Sequence, residues 1–307
     1  MKNPIFILAL GGCFLLPSCN DTASLPVELR PLHVVAVNYP LAFFAESIGG
    51  DHVDVEYPVP DGVDPADWQP TAEDISRFQN ADAILLNGAG YAAWTTTASL
   101  PNARTHATSS DARDEWITME ENSVHTHGPT GEHSHTNVAS TTWLDPEIAI
   151  AQLDSVRAVM SSLAPEYQEQ FASNARALAR RILDVSADLE QAINAAPTTP
   201  VLFSHPVYQY LTRRFGINAR SVHWEPDEMP TDAEWAALDE LLQTHPARWM
   251  MWESQPNPLV AKRLEAHGVQ SVVFDPGGEH SSSGDFIDGI RKNAKALRNV
   301  YGADDPR

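Results

Sequence analysis

The stretch LHVVAVNYPLAFFAESIGGDHVDVEYPV, residues 32–59, decides the fold class. Leu32 to Val37 is a nearly unbroken apolar run rich in valine, the pattern of a strand covered on both faces. Leu41 to Ile48 repeats its apolar residues at helical spacing and stops at Gly49-Gly50, and Val53 to Val59 returns to extended character. Outward from this unit come a helix over Thr71 to Gln79 and an apolar run, Ala83 to Leu86, that ends at Asn87-Gly88. Strand, helix, strand, helix, strand in this order builds a parallel sheet. Further on, Glu147 to Ala196 reads as helical with Pro165 as its natural break, and Pro197 to Pro200 closes it. The alternation then resumes. Strands are expected at Val201 to Phe203, Ile217 to Val222, Arg248 to Trp252 and Gln270 to Phe274, and helices at Tyr208 to Phe215, Asp232 to Thr244, Pro258 to His267 and Gly284 to Tyr301. The expected architecture is α/β: two parallel-sheet α/β domains, residues 32–145 and 198–307, joined by a long connecting helix over residues 146–197, with the ligand cleft at their interface. A stiff connection of that kind limits closure to small loop shifts.

A chain of 307 residues suits two such domains. Its 43% hydrophobic and 20% charged residues are those of a globular protein, which excludes disordered, collagenous and small disulfide-stapled classes. Twenty basic against 41 acidic side chains leave a formal charge of -21, a surface that repels nucleic acid and anionic lipid and attracts cations. The cysteines are Cys13 and Cys19, both near the start, where Lys2 precedes the apolar run Ile5 to Leu16 and then Leu16-Pro17-Ser18-Cys19. This resembles a secretory signal ending in a lipobox, and the run is short for a transmembrane helix. The expectation is a lipoprotein signal peptide over residues 1–18, lipidation of Cys19, and a polar tether over residues 19–31. An ordinary export signal or a membrane anchor is the alternative. The mature chain would hold no disulfide, and a monomer is expected.

Ligands of open parallel sheets bind beyond the carboxyl ends of the strands. In the second half the residues just past the expected strands are His205, His223, Glu253 and Asp275. Two imidazoles and two carboxylates on one edge suit zinc first and manganese second, and the lack of thiolates argues against copper(I) and iron–sulfur binding. Residues 123–137 add His125, His127, His133 and His135 among Gly, Pro, Ser and Thr, without apolar periodicity. That segment is expected to be a surface loop acting as a low-affinity auxiliary metal collector, because its ligands must lose conformational freedom on binding. Solvated or capping roles for all these residues stay open. Neither GxSxG, HExxH nor a phosphate-binding loop is present, although His205, Glu253 and Asp275 would also suit a metallohydrolase.

In order along the chain, Val37-Asn38-Tyr39-Pro40, Gly62-Val63-Asp64-Pro65, Trp68-Gln69-Pro70-Thr71, Asn87-Gly88-Ala89-Gly90, Trp143-Leu144-Asp145-Pro146 and His205-Pro206 resemble the zinc- and manganese-specific solute-binding proteins of ABC importers, the ZnuA/TroA-like group of cluster A-I. The resemblance covers nearly the whole mature chain. It implies a lipid-anchored extracytoplasmic protein, periplasmic or at the cell surface, that captures a divalent cation and delivers it to a membrane ABC permease. It also implies a four-ligand site in which His205 and Asp275 match the third and fourth ligands, with Glu253 near the cleft. The first two positions hold Ala66 and Thr141, so both histidines of the first half are absent. His223, or Asp67 beside Ala66, would complete the site, or the histidines of residues 123–137 would fold inward to do so. A metal buffer, an adhesin-like surface lipoprotein, and a receptor for a metal chelate or another small solute remain as alternatives.

Overall fold

The computed structural model describes residues 1, 30–119, 138–280 and 284–302. Lipidation at Cys19 and the four histidines of the 125–135 segment lie outside the described residues. The first half carries strands β1 (Leu32–Ala36), β2 (Val53–Glu56), β3 (Ala83–Leu86) and β4 (Thr105–Ala107), all parallel, in the order β2-β1-β3-β4. The second half repeats this design with β5 (Val201–Phe203), β6 (Ala219–Ser221), β7 (Trp249–Trp252) and β8 (Gln270–Val273) in the order β6-β5-β7-β8. In each sheet the chain order reverses beside the first strand, so the loops after β1 and β3, and those after β5 and β7, flank a switch point where a crevice opens.

Local signals set the helix limits. Helix α1 (Tyr39–Gly49) starts at Asn38, whose side chain accepts from Leu41 N–H, with Pro40 in the first turn. It ends at Gly50, whose φ of +51° leaves the helical region, and Gly49 before it leaves no room for a side chain, since a Cβ would stand 2.1 Å from a Val53 methyl. Helix α2 (Ala72–Asn80) opens with a reciprocal Thr71–Asp74 capping box. The expected connecting helix is two helices, α3 (Pro146–Leu163) and α4 (Gln168–Asn194), separated by a 3₁₀ turn at Pro165–Tyr167. The break follows from Pro165, which cannot donate to a continuing helix. Helices α3 and α4 pack side by side, and α4 also packs on α1. With 27 residues, α4 is about 40 Å long and is the spine of the molecule.

In the second half come α5 (Gln209–Phe215), α6 (Asp232–Thr244), α7 (Pro258–Ala266) and α8 (Phe286–Tyr301). Helix α8 lies against α4. It starts two residues later than expected because Asp285 is its cap, accepting from Asp288 N–H while Asp288 answers at Asp285 N–H. The apolar core runs from Val34, Phe44 and Leu85 of the first half through Phe171, Leu178 and Leu189 of α4 to Phe203, Phe274 and Leu297 of the second. A smaller core of Leu202, Trp224, Trp235, Met250, Trp252 and Leu264 covers the other face of the second sheet. Such continuous burial makes the spine and its two neighbours one packed body. Among the described residues no helix is long and apolar enough to cross a membrane.

Candidate metal centre

His205 follows β5 by two residues, with Ser204 held by its N–H to Met251 O (2.9 Å) and its carbonyl accepting from Trp224 N–H (2.8 Å). These bonds extend the ladder past the last strand residue and bring the His205 and His223 turns together. The two imidazoles stand edge to face with centroids 6.0 Å apart. Nδ1 of His205 lies 3.3 Å from Oε1 of Glu225, which occupies the same turn as His223. Carboxylates in such positions beside metal-binding imidazoles fix the orientation of the ring, and Glu225 stands where it could do so for His205.

Glu253 follows β7, on the other side of the switch point. Its carboxyl is pushed up to about 8, first by burial and then by the surrounding carboxylates of Asp64, Glu225, Asp275 and Glu279. Asp275 follows β8 and is braced at both ends: its N–H donates to Asn293 Oδ1 (3.1 Å), and its carbonyl accepts from Asn293 Nδ2 (2.6 Å). Its side chain accepts from Gly277 N–H at 2.7 Å. Burial raises its carboxyl above the usual range, against the opposing pull of that bond and of Lys292. Tyr208 stands between these elements, buried, donating its hydroxyl to Phe274 O at 2.7 Å.

The segment after β8 reaches across to the first half. Pro276 O accepts from Trp143 Nε1 (2.8 Å), Gly278 O accepts from Tyr39 N–H (3.0 Å), and the His280 ring meets Tyr39 edge on at 4.9 Å. Gly277 has φ +72°, and a Cβ at Gly278 would fall 3.4 Å from the Tyr91 hydroxyl and 3.5 Å from Trp143. The glycine requirement lies at Gly277, whose left-handed backbone and a Cβ 3.0 Å from the Phe286 ring would strain any side chain, whereas the contacts at Gly278 are ordinary ones. This crossing brings Glu279 near Asp64, and burial followed by Asp64 and Asp275 raises its carboxyl. Asp64 sits in the loop after β2, its side chain accepting from Ala66 N–H at 2.8 Å. The Tyr57 hydroxyl is raised by burial and then by Glu279, Asp64 and Asp61.

Thus the structure sets His205 and His223 together with Glu225, and places Glu253 and Asp275 within electrostatic reach of one another. It adds Asp64 and Glu279, which sequence reading did not single out. The signal for both was weak: acidic residues in Gly- and Pro-containing loops beyond strands, whose cross-cleft positions depend on packing. Of the two aspartates on that exposed turn, Asp64 acts on Glu253 and Asp67 does not. Ala66 packs on the core, and the Thr141 hydroxyl donates to Val207 O. Among the described residues no three His, Cys, Asp or Glu side chains are gathered closely enough to hold a metal ion. The donor types suit zinc or a neighbouring divalent ion.

Comparison with known proteins agrees with this architecture. The zinc-binding lipoprotein AdcA of Streptococcus pneumoniae is 23% identical over 317 residues, an alignment spanning all of this chain and 62% of that protein. The chain therefore spans under two thirds of the AdcA relatives. The high-affinity zinc uptake system protein ZnuA of Bacillus subtilis is 26% identical, with 96% of each chain covered. The crystal structure of Zn(II)-bound AdcA from S. pneumoniae superposes with a TM-score of 0.75 at 21% identity, covering 88% of this chain and 58% of that one. The metal-dependent lipoprotein YcdH from B. subtilis gives 0.73 at 22% identity, covering 88% and 98%. These likenesses share the two-sheet fold with its long connecting helix. Residues 34–300 match the family described as zinc-uptake complex component A, periplasmic, and the chain belongs to that family.

Proposed function

We propose that this protein is an extracytoplasmic solute-binding component of a metal importer that captures a divalent cation, zinc before manganese, between its two halves and hands it to an ABC permease. The observation that carries this reading is the crowding of Glu253 by Asp64, Glu225, Asp275 and Glu279, of which Glu225 also lies 3.3 Å from His205. Four carboxylates around a fifth repel one another unless protons or a cation neutralise them. A divalent ion does so while also taking up imidazole, and His205 favours zinc because imidazole is the better zinc ligand.

The names of the relatives support the same cargo. AdcA is named a zinc-binding lipoprotein and ZnuA a high-affinity zinc uptake protein. His205, Asp275 and Glu253, with His223, are the proposed ligands, and His125, His127, His133 and His135 the auxiliary ones. Acylation of Cys19 would hold the mature chain, as a monomer, at the membrane. The protein performs no covalent chemistry in this reading. The two half-site positions at Ala66 and Thr141 favour a second reading, a cation that brings its own donors as a chelate. Calorimetric titration of metal-free protein with zinc and with manganese tests the first. One tight zinc equivalent supports it, and tight manganese binding with none for zinc overturns the choice of metal.

A further inference from the structure

The turn that carries His205 is fastened to the first half of the molecule by side chains that are not candidate ligands. Thr141 is 8% exposed, and its hydroxyl donates to the carbonyl of Val207, two residues past His205. Tyr210, fully buried on α5, donates its hydroxyl to Ala139 O at 2.9 Å and accepts from Ile117 N–H at 3.3 Å. Ala139 N–H in turn donates to Ile117 O at 2.9 Å, so one phenol closes both chains beside the Thr118–Val138 bridge. One turn on, Arg213 donates to Asp145 Oδ2 at 3.1 Å and to Glu115 O at 2.6 Å, with its guanidinium 5.4 Å from the Tyr210 ring. Asp145 caps α3, so the seam ends on a helix that belongs to the rigid core. From the opposite side, Tyr208 ties the same turn to Phe274, the residue before Asp275.

A ligand holds its geometry only as well as the groups that support it. Here the support comes from across the crevice, and at Thr141 it comes from the position where the family resemblance puts an imidazole. We propose that Thr141 is a positioning residue: its hydroxyl, with Tyr210 as a second brace, sets the placement of the His205 turn in the crevice and thereby the residence time of the bound cation. Zinc binding in this chain then takes no donor from Thr141 but depends on it through the backbone. This rests on the reading that His205 binds the cation.

The test is the rate at which zinc leaves the zinc-loaded protein into excess chelator, measured for the unaltered chain, Thr141→Val, Thr141→Ser, Tyr210→Phe and His205→Ala, together with the melting temperature of each metal-free form. Valine keeps the shape and removes the donor, and serine restores the donor. Zinc should leave Thr141→Val and Tyr210→Phe about tenfold faster, the scale of losing a support of a metal ligand. Thr141→Ser should release zinc close to the unaltered rate. A merely structural role would lower the metal-free melting temperature and leave the zinc rate alone, and that result for Thr141→Val overturns the proposal. Should Thr141→Val not fold, Tyr210→Phe, which keeps the ring and loses both bonds, decides the matter by the same two readouts. If His205→Ala speeds release and the seam variants do not, the positioning role fails while the site reading stands. If His205→Ala changes nothing, the site reading itself falls.

Discussion

Glu253 is the side chain whose chemistry most constrains the account. Its carboxyl is raised to about 8 from 4.5, so between those values the folded, metal-free protein holds a proton that the unfolded chain has lost. The unfolded state binds fewer protons in that window, and the group's contribution to stability therefore falls as pH rises through it. Glu253→Gln, which cannot ionise, should melt higher than the unaltered metal-free protein at the upper end of this window. The two should converge at its lower end. Thermal melts across the window check this, and parallel curves would mean that Glu253 is not held protonated by its burial and its neighbours. With Glu253 as a ligand, as proposed, zinc would reverse the preference, because it would need the carboxylate and displace the proton. His205, His223, Glu253 and Asp275 were all legible as residues just past strands, since that placement is local. Asp64 and Glu279 were not, because what brings them to Glu253 is the passage of Gly277 and Gly278 under Tyr91 and Trp143, a contact between distant parts of the chain.

Among the elements, those with a local start signal were read most accurately from sequence. Helix α6 runs over Asp232–Thr244 as expected, because Thr231 and Glu234 form a capping box. Strand β6 is shorter than the Ile217 to Val222 run, keeping only Ala219–Ser221. It lies at the edge of its sheet and its one partner, β5, is only three residues long, so the paired register ends at Ser221 although Val222 N–H still donates to Phe203 O at 2.9 Å. The connecting stretch shows the limit of periodicity: its apolar spacing is helical on both sides of Pro165, and only tertiary contact reveals that α3 packs back along α4. Deleting residues 123–137 belongs to this level. On the sequence reading that segment's histidines are auxiliary, whereas His205, Glu253 and Asp275 follow directly on strand ends. The deletion should remove weak, extra zinc equivalents from a calorimetric titration and leave the tight one. Loss of the tight equivalent would show that primary and auxiliary roles are reversed.

For the whole molecule, the shared core and the long α4 couple the halves firmly, so cation capture is expected to draw in loops rather than swing domains. The net charge of -21 favours approach of a divalent cation from solution. Attachment is separate from folding in this account: Cys19→Ser should move the protein from the membrane fraction to the soluble one, and retention on the membrane would exclude the lipid anchor. The central claim is that a divalent cation binds at the facing sheet edges through His205. It is tested most directly by calorimetric titration of zinc into metal-free protein and into its His205→Ala variant, each at two pH values. One tight equivalent is expected, weakening by on the order of 100-fold on losing the imidazole, since a zinc site short of one of its few protein ligands loses both geometry and charge balance. Binding should also release protons and weaken as pH falls through the imidazole range near ~6.5. Tight zinc binding left unchanged by His205→Ala, or no zinc binding at all, would contradict the central claim.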